Sequence, residues 1–182
     1  MLTKVFDIYK IYFLISFVVF FLLTFLFFDK SYLTVILLFL GSFLAPFLYE
    51  IDILIFVFIL EPHSEYSKNI RGYILSKNYK SAFVYAHEHV VNMTSSIFRS
   101  LILVLLVYAL AFLLFFGFAN PFSKAVVLSY LLTSLYLQTL SFANNSWRSW
   151  YSFIEFIPKI KYAKILLILE YILFLVLIYK II

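Results

Sequence analysis

The chain contains no cysteine, which excludes disulfides, thiolate metal sites and cysteine nucleophiles. Only three glycines and four prolines occur among its 182 residues. Three scattered glycines cannot build a glycine-rich phosphate loop. So little glycine and proline also argues against long disordered linkers. Charge is scarce as well: Asp, Glu, Lys and Arg make up 13% of the chain, about half the share found in a soluble domain. The sequence is instead 65% hydrophobic and 23% aromatic, with a mean hydropathy of +1.06. That composition fits one all-α membrane domain over 1–182, a polytopic helix bundle. The net charge of +5 does not indicate a nucleic-acid partner. The basic residues flank apolar runs, which is a topology signal in a bilayer.

Five apolar spans are legible. The first covers 11–28; no small-residue cleavage site follows it, so it reads as a retained span. Asp29, Lys30 and Ser31 leave only a short turn before the second. The second span, 32–60, is the most informative stretch. It has 29 residues where about 20 suffice to cross a bilayer core, and it holds Pro46, Glu50 and Asp52. The expectation is one long helix kinked near Pro46. The third span covers 100–118, the fourth 124–142 and the fifth 164–179. The fourth is the most polar, with Ser129, Thr133, Ser134, Gln138, Thr139 and Ser141. Asn120-Pro121 marks a tight turn before it.

Two connections are long. Residues 61–98 predict a helical hairpin, about 64–76 and 80–91, turning at Lys77-Asn78-Tyr79, with Ser64 as an N-cap. Ile70, Ile74, Phe83, Val84 and Val91 would give it an apolar face, lying on the membrane or on the bundle. Residues 143–163 predict an interfacial helix stopped by Pro158. With five spans, one side carries Lys4, Lys10, Lys68, Arg71, Lys77, Lys80, Arg99, Arg148, Lys159, Lys161 and Lys164. The other carries Lys30, Lys124 and Lys180. Eleven against three places the N-terminus and both long connections in the cytoplasm, with the C-terminus outside the cell (inner) membrane.

Ionisable groups inside spans are functional candidates by default. Asp52 lies eight residues from the cytoplasmic end of its span, Glu170 six past Lys164, and Gln138 four from the end of the fourth span. With Arg99 these fall within roughly 12 Å of one interface at 1.5 Å per residue. Ser134, Gln138 and Ser141 share one helix face. Glu50, Asp52, Arg99, Ser134, Gln138 and Glu170 therefore form a candidate intramembrane polar cluster. The expectation is that Asp52 and Glu170 face the interior and share Arg99 or Arg148 as a cationic partner. The plainer alternative is snorkelling or pairing that holds the bundle together. His87-Glu88-His89 invites a metal reading. On a helix, however, positions two apart lie about 200° from each other and do not grip one ion. Ser95 and Ser96 have only His89 near them, which makes a weak nucleophile pattern.

From Gly41 to about Gln138, just over half the chain, the layout resembles the membrane-bound metal-dependent hydrolases. Gly41, Pro46 and Asp52 resemble that family's Pro-Asp-x-Asp element, with the Pro–Asp spacing stretched. Thr94-Ser95-Ser96 is similar to its Thr-His-Ser element with serine for histidine, and His89 lies just upstream. Ser134-Leu135-Tyr136-Leu137-Gln138 is similar to His-x-x-x-Asp with both ligands replaced. The resemblance implies a scaffold whose remaining metal candidates are Asp52 and His89, with Thr94 and Ser96 beside them. Neutral Ser and Gln are poor zinc ligands, so no cofactor is expected unless a divalent metal persists there.

Three functions are compatible with these features. The favoured one is a non-catalytic bundle in the lipid bilayer whose segment 61–98 binds a protein partner or supports a complex. The second is a metal-dependent hydrolase acting on a lipid or phosphate ester at the cytoplasmic interface. The third is a small transporter or transporter subunit using Asp52 and Glu170, although no inverted repeat is visible. The orientation is directly testable in a chain without cysteine. Single cysteines at Ser81 and Ser123 are expected to label oppositely with an impermeant thiol reagent, only position 123 reacting from outside. Labelling of position 81 alone from outside reverses the orientation.

Overall fold

The computed structural model describes residues 2–26, 31–89, 93, 96–116, 120–151 and 158–181. Asp29, Lys30, Val91, Thr94 and Ser95 lie outside the described residues, as does the stretch 152–157. The described chain is helical throughout, with no strand. Its helices are α1 (Leu2–Leu26), α2 (Tyr32–Ile55), α3 (Glu65–Leu75), α4 (Tyr79–Glu88), α5 (Leu101–Phe116), α6 (Pro121–Ala143) and α7 (Ile160–Ile181). Four are long and apolar enough to cross a membrane: Tyr9–Leu26, Tyr32–Leu60, Pro121–Ala143 and Ile160–Lys180. The expected third span is a shorter apolar helix, Leu101–Leu114.

Helix α6 occupies the centre. It packs on α1, α2, α5 and α7, most extensively on α2. Its apolar window is 61% buried, against 22% for α7 at the periphery. That position accounts for its polar sequence. A polar side chain facing lipid is costly, so the helix that carries most of them goes inside, where they find partners. The Ser129 hydroxyl donates to the Ser42 carbonyl on α2 at 2.7 Å, and the Thr133 hydroxyl to the Ser129 carbonyl at 2.7 Å. Gly41 lets α2 approach α6 closely: a Cβ there would stand 2.6 Å from the Phe122 carbonyl oxygen and 2.8 Å from the Ala125 Cβ.

Helix α2 runs through Pro46 without turning back. Its irregularity begins four residues beyond Asp52, at the far end of the span, where Phe56–Leu60 form a π-turn closed by Glu61 N–H on the Phe56 carbonyl at 3.0 Å. A π-turn inserts an extra residue into the helical ladder. Here Phe56 and Val57 are both fully buried. They join Ile53, Tyr66, Ile70, Ala82, Ala86 and Met93 in a second, smaller core. The hairpin therefore lays its apolar face on the end of the bundle. Ser64 caps α3 by accepting from Ser67 N–H at 3.2 Å, and Asn78 caps α4 by accepting from Ser81 N–H at 3.2 Å. The Tyr66 hydroxyl ties α3 to α4 by donating to the Ala86 carbonyl at 2.8 Å; burial raises this phenol above its ordinary value, so it remains a donor.

The interfacial segment 143–163 is not the single helix expected. Asn145 takes a φ of 56°, a left-handed conformation that asparagine tolerates and that ends the helical path of α6. A short 3₁₀ turn, Trp147–Tyr151, follows, and α7 starts only at Ile160. The helix α1 begins at Leu2, well before the apolar span it carries.

Candidate functional site

Asp52 sits on the last turns of α2, below the docked hairpin, and is fully buried. Its carboxylate meets the turn that leads into α5. One oxygen accepts the Ser96 hydroxyl; the other accepts Ile97 N–H at 2.9 Å and Phe98 N–H at 3.3 Å. The Ser96 oxygen in turn accepts Arg99 N–H at 3.1 Å. Ser100 then caps α5, accepting Leu103 N–H at 3.3 Å. These donors belong to a stretch that precedes a helix and has no ladder of its own, so their N–H groups need an acceptor. Asp52 supplies it from another span. Hydrogen bonds to an ionised group contribute about 1.5–3 kcal/mol, more than neutral ones.

Glu170, on α7, is also buried, and its Oε2 accepts from Gln138 Nε2 of α6 at 2.7 Å. Gln138 Nε2 lies 3.5 Å from the Ser134 hydroxyl on the same helix face. The neighbouring Tyr108 hydroxyl donates to the Glu170 carbonyl at 2.8 Å, joining α5 to α7. Asp52 and Glu170 thus have separate partners. The expected arginine partnership does not form: among the described residues neither acid makes an ion pair with Arg99 or Arg148. Arg99 lies over the Tyr49 ring at 5.9 Å, and exposed Arg148 lies over Trp147 at 5.8 Å. The reason is one of supply. Backbone N–H groups and a serine stood closer to Asp52 in the folded chain than any guanidinium, and a glutamine stood closer to Glu170. Tyr130 stacks on Tyr49 at 5.6 Å and donates to the Phe98 carbonyl at 2.8 Å.

Glu50 belongs to a third arrangement. Its Oε1 meets His87 Nε2 of α4 at 2.8 Å, and His87 Nδ1 meets the Phe83 carbonyl at 3.0 Å. Both partners are acceptors, so both contacts are hydrogen bonds only when each ring nitrogen carries a proton. Tyr9 of α1 packs here too, stacked on Phe83 at 5.4 Å with its hydroxyl interacting with Glu50. Three elements, α1, α2 and α4, are clasped at this point. No local pattern marks this pairing; Glu50 and His87 lie 37 residues apart and no spacing rule joins them.

The two metal candidates make separate contacts. His89 Nδ1 meets the Tyr85 carbonyl at 3.1 Å, and its ring stacks on Tyr85 at 4.2 Å. Asp52 is occupied by Ser96, Ile97 and Phe98. His87 and His89 point to different partners, as their helical spacing implies. Among the described residues no three His, Asp or Glu side chains gather as a metal-binding group. Thr94 and Ser95, the other residues of the Thr-Ser-Ser element, lie outside the described residues.

What fold and site define together is a class: a helical bundle with four helices long and apolar enough to cross a membrane and a hairpin docked on one end. Compared with known proteins, the chain matches no family model, no curated protein and no solved structure.

The bonding at Asp52 predicts a specific coupling. Asp52→Ala is expected to lower the unfolding free energy by roughly 2–4 kcal/mol, because two N–H groups lose their acceptor. A double-mutant cycle in mixed micelles should show Asp52 coupled to Ser96 and more weakly to the Arg99 side chain. Strong coupling to Arg99 with none to Ser96 contradicts this bonding.

Proposed function

We propose that this chain is a non-catalytic, multi-pass protein of the cell (inner) membrane with a structural or partner-binding role. In this reading the N-terminus and the α3–α4 hairpin face the cytoplasm, and the C-terminus lies outside. The observation that supports it most is the use made of Asp52. A carboxylate poised for chemistry keeps an oxygen open to substrate or metal. Both oxygens of Asp52 are instead bound to the chain's own donors. Glu50 likewise holds the hairpin rather than facing an open site.

The hairpin is the element suited to a partner. Its inner face is committed to the bundle through Tyr66, Ile70, Ala82 and Ala86. Its tip carries exposed apolar side chains, Leu75 at 83% and Tyr79 at 65%. Exposed large apolar residues beside a polar turn fit a contact with protein or with the membrane surface.

The competing reading is the metal-dependent hydrolase that the resemblance implies, with Asp52 and His89 as ligands. Metal content after purification in mild detergent separates the two. The non-catalytic reading expects transition metal well below one ion per chain, unchanged by Asp52→Asn or His89→Ala. Stoichiometric metal in the unaltered chain, lost in either variant, overturns it in favour of the hydrolase.

A further inference from the structure

A cavity of about 240 Å³ opens at the hairpin end of the bundle. Its walls come from four parts of the chain: the end of α4, the turn before α5, the end of α6 and the 3₁₀ turn. Arg99 reaches it from the turn before α5. The Arg99 Nε is buried and has no hydrogen-bond partner among the described residues. The guanidinium lies over the Tyr49 ring at 5.9 Å, and a ring face cannot accept its in-plane N–H groups as an oxygen does.

Two more donors line the same space. Trp150, 4% exposed, lines it from the 3₁₀ turn, and Asn144 from the end of α6. Neither the Trp150 indole N–H nor the Asn144 side-chain amide makes a hydrogen bond among the described residues. The hydroxyl of Ser141, also in the wall, is already spent on the Gln138 carbonyl at 2.7 Å. Asp52, the buried acid at the turn before α5, is consumed by Ser96, Ile97 and Phe98. Glu88 stands on the wall from the α4 side and is exposed to solvent.

We infer that this cavity binds a phosphate group, with Arg99 as its charge partner and the Trp150 and Asn144 N–H groups completing the cradle. A partly desolvated arginine favours an oxyanion over water, and its planar fork matches phosphate oxygens two at a time. Donors arriving from three separate segments suit a tetrahedral group with several acceptor oxygens better than a planar carboxylate. The volume accommodates a phosphate or the phosphate end of a lipid headgroup. The inference does not depend on the non-catalytic reading, because binding is measured without turnover.

The chain's own tryptophans report on this space. The sequence has two, Trp147 and Trp150. In a Trp147→Phe background, Trp150 alone fluoresces from the cavity wall. The protein in dodecyl maltoside micelles is titrated with inorganic phosphate, and separately with mixed micelles containing phosphatidylglycerol or phosphatidylcholine. A saturable change with inorganic phosphate identifies a free-phosphate site. A saturable change with phosphatidylglycerol alone identifies a lipid-headgroup site. Arg99→Gln should weaken either by about tenfold or more. Asn144→Asp, at an exposed position that leaves the core intact, should weaken it severalfold by placing like charge at the rim. No saturable change in any arm overturns the inference. So does an affinity equal to the parent's in Asn144→Asp and, where it folds, in Arg99→Gln.

Discussion

A carboxylate without solvent has to be hydrogen-bonded, and the arrangement around Asp52 follows from that constraint. The cost of an unpartnered buried charge is so large that the fold must bring donors to it. The donors are the Ser96 hydroxyl and two backbone N–H groups at the approach to α5. One contact therefore settles two problems. It neutralises the demand of a buried acid on α2, and it satisfies N–H groups in a turn that has no ladder. The position of α5, and of the Arg99 side chain just before it, depends on where that turn is held.

The remaining architecture distributes polarity in the same way. Helix α6 gathers the serines, threonines and glutamine and is placed centrally, where Ser42 and Glu170 can use them. Glu50 projects to the hairpin and fastens it through His87, while the π-turn at Phe56–Leu60 feeds two adjacent apolar side chains into the hairpin core. The hairpin end thus combines a small core, the Glu50–His87 contact and a cavity whose Arg99 Nε has no hydrogen-bonded acceptor among the described residues.

Much of the helical layout was legible because hydropathy and length are local. The long α2, the polar α6 and the capped hairpin follow from residues within one segment. The depth argument placed Asp52 and Glu170 in one layer, and both are buried. Their partners were not legible. Ser96 lies 44 residues from Asp52, and Gln138 lies 32 from Glu170. Matching charges by sign pointed to arginines, because backbone N–H groups carry no mark in a sequence. The π-turn was equally invisible, since Phe-Val-Phe-Ile-Leu is apolar in any helical register. Trp150 and Asn144 entered the cavity only through the left-handed Asn145 and the 3₁₀ turn, which broke the expected interfacial helix.

The most direct measurement of the central claim is amide hydrogen exchange at Ile97 and Phe98 in the unaltered protein. If the Asp52 carboxylate holds this turn, both amides exchange as slowly as those in the interior of α6, although they lie outside any helix. Exchange at the rate of an open, solvated turn would show that Asp52 does not anchor it, and the account built on that contact would fail.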